Sequence, residues 1–258
     1  MNVLKELWEY REMVFNLVKR DLRGRYKGSV LGFFWMFLNP LLQLAVYHIV
    51  FSTIMRMGIE KFYLFMFVAF VPWLFFSTCL SAGTSVIFAQ QDMVKKIYFP
   101  RQVLPLAFTL SQFVNMLLSF LVIFVVVACS GVTINPAALV CLVPVMLIEF
   151  VLALGTTYLV SALTVYFRDL EHIMGILSMA WMYLTPVIYP MEMVPEAYRR
   201  LLYFNPMTSV TTAYRDILYY GQVPRMETLL QAAVMGGVVL AAGQMLFGRL
   251  SRHFVEEL

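Results

Sequence analysis

The chain has 258 residues, 61% of them hydrophobic and 13% charged, with a formal net charge of +4. Together with a mean hydropathy of +0.78, this excludes a soluble globular enzyme, because too few polar residues are available to cover one. No catalytic, metal or cofactor site and no nucleic-acid partner is expected of it. The phosphate-cradling pattern G-x-x-x-x-G-K-[ST] does not occur, so ATP-driven work through that loop requires a second polypeptide.

The first 27 residues carry too many charges for the apolar core of a cleaved signal peptide, so the N-terminus is expected to be retained. On a helical projection Leu4, Leu7, Trp8, Val14, Phe15, Val18 and Leu22 share one side, while Lys5, Glu9, Glu12, Asn16, Arg20 and Arg23 face away. That is the pattern of an amphipathic helix at a membrane surface, or of one packed on a soluble partner. Arg11 falls inside the apolar stripe and must snorkel or find a partner.

Charged side chains are missing between Lys27 and Arg56, Lys61 and Asp92, Glu171 and Glu192, and Glu227 and Arg249, and only Glu149 interrupts the run from Arg101 to Arg168. Each gap meets the roughly 20 apolar residues that a helix needs to cross a bilayer. Six spans are expected, at 30–55, 62–88, 102–132, 136–167, 173–189 and 228–247. Gly131, Asn135 and Pro136 supply the turn that divides the third from the fourth. Cys79, Cys129 and Cys141 lie in these stretches without metal-ligand or C-x-x-C spacing and read as packing residues.

An even number of spans places both termini on one side. The segments on that side hold most of the Lys and Arg, including Arg20, Arg23, Arg25, Lys27, Lys95, Lys96, Arg101 and Arg168, which makes it the cytoplasmic side. Between the fifth and sixth spans, 195–204 and 206–220 each read as helical and too short to cross. Asn205 caps the second, Pro206 takes its first position and Gly221 ends it. Rich in tyrosine, the two are expected to form a re-entrant or interfacial pair on the outer face. The fold class is therefore all-α integral membrane, one domain over 1–258. It divides into an interfacial helix (1–29), a six-span bundle (30–250) and a short cytoplasmic tail (251–258).

Four segments carry a resemblance. Arg20-Asp-Leu-Arg-Gly-Arg-Tyr-Lys-Gly-Ser-Val-Leu-Gly-Phe-Phe-Trp35 with Asn39-Pro40, and Val94-Lys-Lys-Ile-Tyr-Phe-Pro-Arg101 with Pro105, are the most specific. Tyr166-Phe-Arg-Asp-Leu170 follows, then Thr185-Pro-Val-Ile-Tyr-Pro190 with Asn205-Pro206 and Tyr214-Arg215. In this order they resemble the membrane subunit of ABC-2 type polysaccharide and polyol-phosphate exporters, the O-antigen and teichoic-acid export permeases. The resemblance implies a bacterial cytoplasmic-membrane protein that pairs with a second copy of itself and with two ABC ATPase subunits. ATP and Mg would be bound by those subunits and none by this chain. The cargo would be a lipid-linked polysaccharide of the undecaprenyl type: O antigen, capsule or wall polymer. Asp92, Lys95, Lys96, Ile97, Tyr98, Phe99, Pro100 and Arg101 would form the coupling loop docked on the ATPase, the charges as rim and the aromatics filling a pocket. Arg20, Arg25, Tyr26 and Lys27 would stand at a cytoplasmic gate beside the lipid pyrophosphate, although the charge bias next to a span explains basic residues there too.

A sugar chain needs a lined path, since each unpaired hydroxyl costs on the order of 4 kcal/mol in hydrocarbon. Asn39, Gln43 and Tyr47 share a face of the first span with Phe33 and Phe51 beside them, and Ser178, Trp181, Thr185 and Tyr189 share one on the fifth. These are the channel-lining candidates, because aromatic faces stack on sugar rings while polar groups pair with hydroxyls; helix packing explains the same residues. Gln112, Asn115 and Ser119 form a stripe on the third span that reads as glue between helices. Glu149 is expected to be protonated or paired, with His48 or Asn115 as its partner. Two rival readings are a proton-coupled transporter working through Glu149 and His48, and a membrane transferase using Arg168, Asp169, Glu171 and His172.

Overall fold

The structure, a computed structural model, describes residues 3–24, 31–54, 58–133 and 135–258, without the side chains of residues 3–5 and Phe33. Arg25, Tyr26 and Lys27 lie outside the described residues. Within them every regular element is helical. In chain order these are α1 (Val3–Glu9), α2 (Arg11–Gly24), α3 (Trp35–His48), α4 (Phe62–Ser81), α5 (Gln91–Lys96), α6 (Val103–Ser130) and α7 (Pro136–Val140). Then come α8 (Leu142–Tyr166), α9 (Leu170–Tyr183), α10 (Glu196–Tyr203), α11 (Pro206–Leu218), α12 (Met226–Leu250) and α13 (Phe254–Glu257).

Among the described residues, five helical stretches are long and apolar enough to cross a membrane: Trp35–Ile54, Phe62–Ser85, Val103–Ser130, Pro136–Tyr166 and Met226–Glu257. They coincide with five of the six expected spans. The remaining one, 173–189, is shorter as a helix than the sequence implies. Its helix, α9, ends at Tyr183 after 14 residues, about 21 Å of rise. Pro186 supplies the reason: its ring removes a donor and drives the preceding Thr185 away from helical geometry. Leu184–Pro190 continues as a turn in which Thr185, Pro186, Val187 and Ile188 are buried.

The bundle is organised around α4, whose side chains are almost all buried. It packs against α3 on one flank and α9 on another, with α6, α8 and α11 closing around it. The tightest seam joins α8 to α12, where small residues let two backbones meet. A Cβ built on Gly155 would lie 2.6 Å from the Leu240 amide nitrogen, and one on Gly243 would lie 2.5 Å from the Gly155 carbonyl oxygen. Close approach of this kind is the means by which membrane helices associate without a hydrophobic driving force. By contrast α9 buries none of its side chains and α3 only a few.

The turn between α6 and α7 follows the sequence reading. Gly131 adopts φ +71°, and the Asn135 side chain accepts from the Ala137 amide at 3.0 Å, with Pro136 at the first helical position. The α10–α11 pair is asymmetric. On α10, Tyr198, Leu201 and Phe204 beside it are exposed, whereas α11 is buried along nearly its whole length. Asn205 caps α11 by accepting from the Met207 amide at 3.0 Å. Gly221, at φ +64°, turns the chain where a Cβ would meet the Thr133 carbonyl oxygen at 2.8 Å.

The two-part N-terminal helix runs beside the start of α6 rather than standing apart. Leu7, Val14, Leu17 and Val18 pack into a cluster with Val103, Leu104 and Phe254, and Ser111 donates to the Asp21 carboxylate. Trp8 and Phe15 remain exposed. Arg11 finds its partner locally: its guanidinium donates to the Trp8 carbonyl at 3.3 Å and lies over the Trp8 ring at 5.4 Å. The last residues of the chain pack onto the bundle. Phe254 is fully buried against Phe247 and Tyr166, and the Tyr166 hydroxyl donates to the Leu250 carbonyl at 3.0 Å.

Candidate functional sites of a membrane transport subunit

The loop after α5 divides its side chains into two roles. Val94 and Phe99 are buried, packed into the cluster that holds Phe254 and Val103. Tyr98 is 96% exposed and Ile97 57%. On the sequence reading Tyr98 and Phe99 alike fill a partner's pocket; in the structure Phe99 is buried within this chain and the projecting aromatic is Tyr98. Around it Lys96 pairs with Asp92 at 3.5 Å on the surface of α5, and Arg101 lies over the Phe254 ring at 6.0 Å. Lys95 is exposed and Pro100 half-buried. The second loop leans on the first region, with the Arg168 guanidinium over the Phe88 ring at 5.1 Å. Among the described residues no group of His, Cys, Asp and Glu fit to hold a metal ion is found.

Arg20 lines a cavity of about 510 Å³ between α2, the turn after α4 and the start of α6, which Asp21, Ser85 and Gln90 also line. This puts one of the four residues expected at a gate beside a partly polar crevice.

The channel-lining candidates separate into two groups. On α3, Asn39 and Gln43 are exposed and Tyr47 is edge-on to Phe70 at 5.1 Å, while Phe51, in the helical turn that continues α3, is tilted against Phe62 at 5.9 Å. On α9, Ser178 is half-buried and Trp181 packs edge-on against Phe76 at 5.3 Å. Thr185 and Tyr189 do not continue that face, because the helix has ended. Thr185 is fully buried; its hydroxyl donates to the Trp181 carbonyl at 2.9 Å and accepts from Asn205 Nδ2 at 2.8 Å. The Tyr189 hydroxyl donates to the Tyr183 carbonyl at 2.8 Å.

A second polar surface joins α3 to α6. Asn39 and Gln43 border a groove of about 310 Å³ with Thr78 of α4 and with Gln112, Asn115 and Ser119 of α6. The α6 stripe, expected to bond between helices, makes no interhelical hydrogen bond at its buried Gln112 Nε2 and Asn115 Oδ1: among the described residues neither has a hydrogen-bond partner, and the Ser119 hydroxyl donates back to the Asn115 carbonyl at 3.1 Å.

Arg215 and Tyr214, adjacent on α11, organise the region around the turn after α9. The Arg215 guanidinium donates to the carbonyl oxygens of Phe65 at 3.1 Å, Val187 at 2.5 Å, Tyr189 at 3.2 Å and Pro186, and its Cζ lies 3.7 Å from the Phe65 ring centre. Backbone that leaves helical geometry within a bundle must find donors or acceptors elsewhere, and this one side chain supplies a donor to three carbonyls of the turn after α9, with Asn205 Nδ2 donating to the Leu184 carbonyl at 3.4 Å. Tyr214 donates to Glu149 Oε2 at 2.6 Å, with both residues fully buried. The partner of Glu149 is thus neither His48 nor Asn115. His48 sits edge-on to Tyr63 at 5.7 Å.

A bundle of long apolar helices with an N-terminal amphipathic helix, an exposed aromatic loop and a buried short helix on the opposite side is the layout of a transporter's membrane subunit. The model of the ABC-2 type transporter family matches residues 12–219, and the chain belongs to that family. It is 38% identical to the O-antigen export system permease protein RfbA of Myxococcus xanthus over 100% of both chains. It is also 30% identical to a protein of the same name from Klebsiella pneumoniae, over 76% of this chain and 75% of that one.

Proposed function

We propose that this chain is the permease half of an ATP-driven exporter carrying a lipid-linked polysaccharide out across the bacterial cytoplasmic membrane. The observation that carries the reading is end-to-end similarity to an O-antigen export permease. On this reading two copies of the chain form the conduit, and two ABC ATPase subunits bind ATP and Mg and drive it. The chain crosses six times, with α9 and the turn after it completing the fifth passage and α10–α11 forming an outer re-entrant pair. Both termini are then cytoplasmic, in keeping with the distribution of Lys and Arg. Arg20, with Arg25, Tyr26 and Lys27, meets the phosphate of the lipid carrier. The weakly buried helices α3 and α9 face the second copy and the path, so that Asn39, Gln43, Ser178 and Trp181 are presented to the moving polymer.

The ATPase engages the loop that projects Tyr98. Tyr98→Ala should leave the amount of permease in the membrane unchanged while weakening co-purification with the ATPase by about 2 kcal/mol, the loss typical of an interface anchor. Phe99→Ala should instead lower the permease itself, by about 3 kcal/mol of stability, because it empties a core position. Immunoblots of the membrane fraction and of the pulled-down ATPase separate the two outcomes. Equal ATPase capture by wild type and Tyr98→Ala would contradict this docking.

A further inference from the structure

The groove between α3, α4 and α6 is lined by neutral polar groups, and among the described residues that line it none is charged. Gln112 and Ser119 stand about 14 and 24 Å from the start of α6 at Val103, at the helical rise per residue. The groove therefore opens at the middle depth of a helix about 42 Å long, beyond the reach of a lipid headgroup held at either surface. Its volume of about 310 Å³ falls at the small end of ligand pockets, about 300–1,000 Å³. It has room for one ring and not for a folded oligomer.

Two of its polar atoms are unanswered. Gln112, 4% exposed, has a free donor at Nε2, and Asn115, one turn away on the same face, has a free acceptor at Oδ1. Leaving such groups unpaired is costly, and a hydroxyl answers both because it donates and accepts. The hydroxyls of Thr78 and Ser119 are spent on the Leu74 and Asn115 carbonyls but keep lone pairs to accept. Trp35 and Phe75 add aromatic surface to the lining, and Asn39 and Gln43 offer further donors and acceptors. A neutral, hydroxyl-rich ring fits this lining. An anionic phosphate, for which the groove holds no cation, does not.

We propose that the groove is a subsite for a single uncharged sugar ring of the transported polymer, taken up between α3 and α6 within one protomer. The inference rests on the export reading above. It assigns a substrate contact to Gln112 and Asn115 as well as to Asn39 and Gln43.

The test places a photoreactive amino acid at Gln43, at Ser178 on α9 and at Leu121 on the apolar side of α6, one at a time. The cells carry the cognate ATPase, and a matched strain is unable to make the polymer. Glycan-bearing adducts are expected at 43 and absent at 121, and they should disappear in the strain without polymer. Adducts at 178 but not at 43 would overturn the subsite while leaving the export reading intact. Adducts at 43 that persist without polymer would overturn it by identifying a membrane glycolipid as the ligand. As a second readout, Gln112→Met with Asn115→Leu removes the hydrogen-bonding groups at similar volume. Export per assembled permease should fall by about fivefold, the equivalent of one lost hydrogen bond, with the permease level unchanged or higher. Undiminished export from that variant would show that the groove holds water alone.

Discussion

Gly155→Ala should strip the membrane of most assembled permease, whereas Gly237→Ala, one turn from the contact on α12, should leave its level untouched. The added carbon at 155 would stand 2.6 Å from the Leu240 nitrogen and 2.8 Å from the Val239 carbonyl carbon, and at 237 it would meet nothing within 4 Å. A backbone atom cannot rotate out of the way as a side chain can, so α8 and α12 must move apart along their seam. Overpacking of this kind costs about 1–3 kcal/mol or more, a large part of what holds a fold of marginal stability. Gly243→Ala faces the same seam from the other helix and should behave like Gly155→Ala. The level of folded chain in membranes and its thermal unfolding in detergent both report the effect. Equal levels in the Gly155 and Gly237 variants would refute the close packing.

Arg215→Met should open the turn after α9. The substitution keeps apolar bulk beside Phe65 but withdraws the donor from the carbonyls of Phe65, Pro186, Val187 and Tyr189. Each buried carbonyl left unpaired costs about 1–3 kcal/mol, and the turn can recover that only by moving toward water. In a background free of native cysteines, Cys in place of the fully buried Val187 should resist an impermeant thiol reagent in the parent and react in the Arg215→Met variant. Arg215→Lys should protect only in part, since an ammonium is a compact charge that cannot reproduce the planar fork. Protection of the cysteine in Arg215→Met would remove the clamp from the account.

The long apolar spans were legible because a bilayer imposes one requirement on all of them, a run of apolar residues long enough to cross. The ends of α11 were legible for a different reason: Asn205, Pro206 and Gly221 each have a local conformational preference that needs no tertiary context. The fifth span was overdrawn, since hydropathy is blind to the break that Pro186 makes and to the Arg215 side chain that compensates for it from another helix. Phe99 illustrates the same limit at a candidate site. Tyr98 and Phe99 are neighbours of similar character, and only the tertiary cluster that gathers Val14, Val103 and Phe254 from distant parts of the chain decides that one is buried and the other exposed. Gln112, Asn115 and Ser119 gave a clear periodic signal on α6, but periodicity names a face without naming what it meets. The pairing of Glu149 with Tyr214 had no sequence signal beyond the presence of a buried acid in search of a donor.

The measurement that bears most directly on the proposed function is polymer transfer across a sealed membrane. Vesicles containing this chain, with and without its ATPase, would be loaded with lipid-linked polysaccharide and supplied with Mg-ATP on the ATPase side or with an imposed proton gradient. Movement of polymer to the opposite face should require both polypeptides and ATP hydrolysis, and Glu149→Gln should retain it, because that carboxyl is committed to Tyr214 as part of the fold. Transfer by this chain alone, driven by the proton gradient and abolished by Glu149→Gln, would contradict the account.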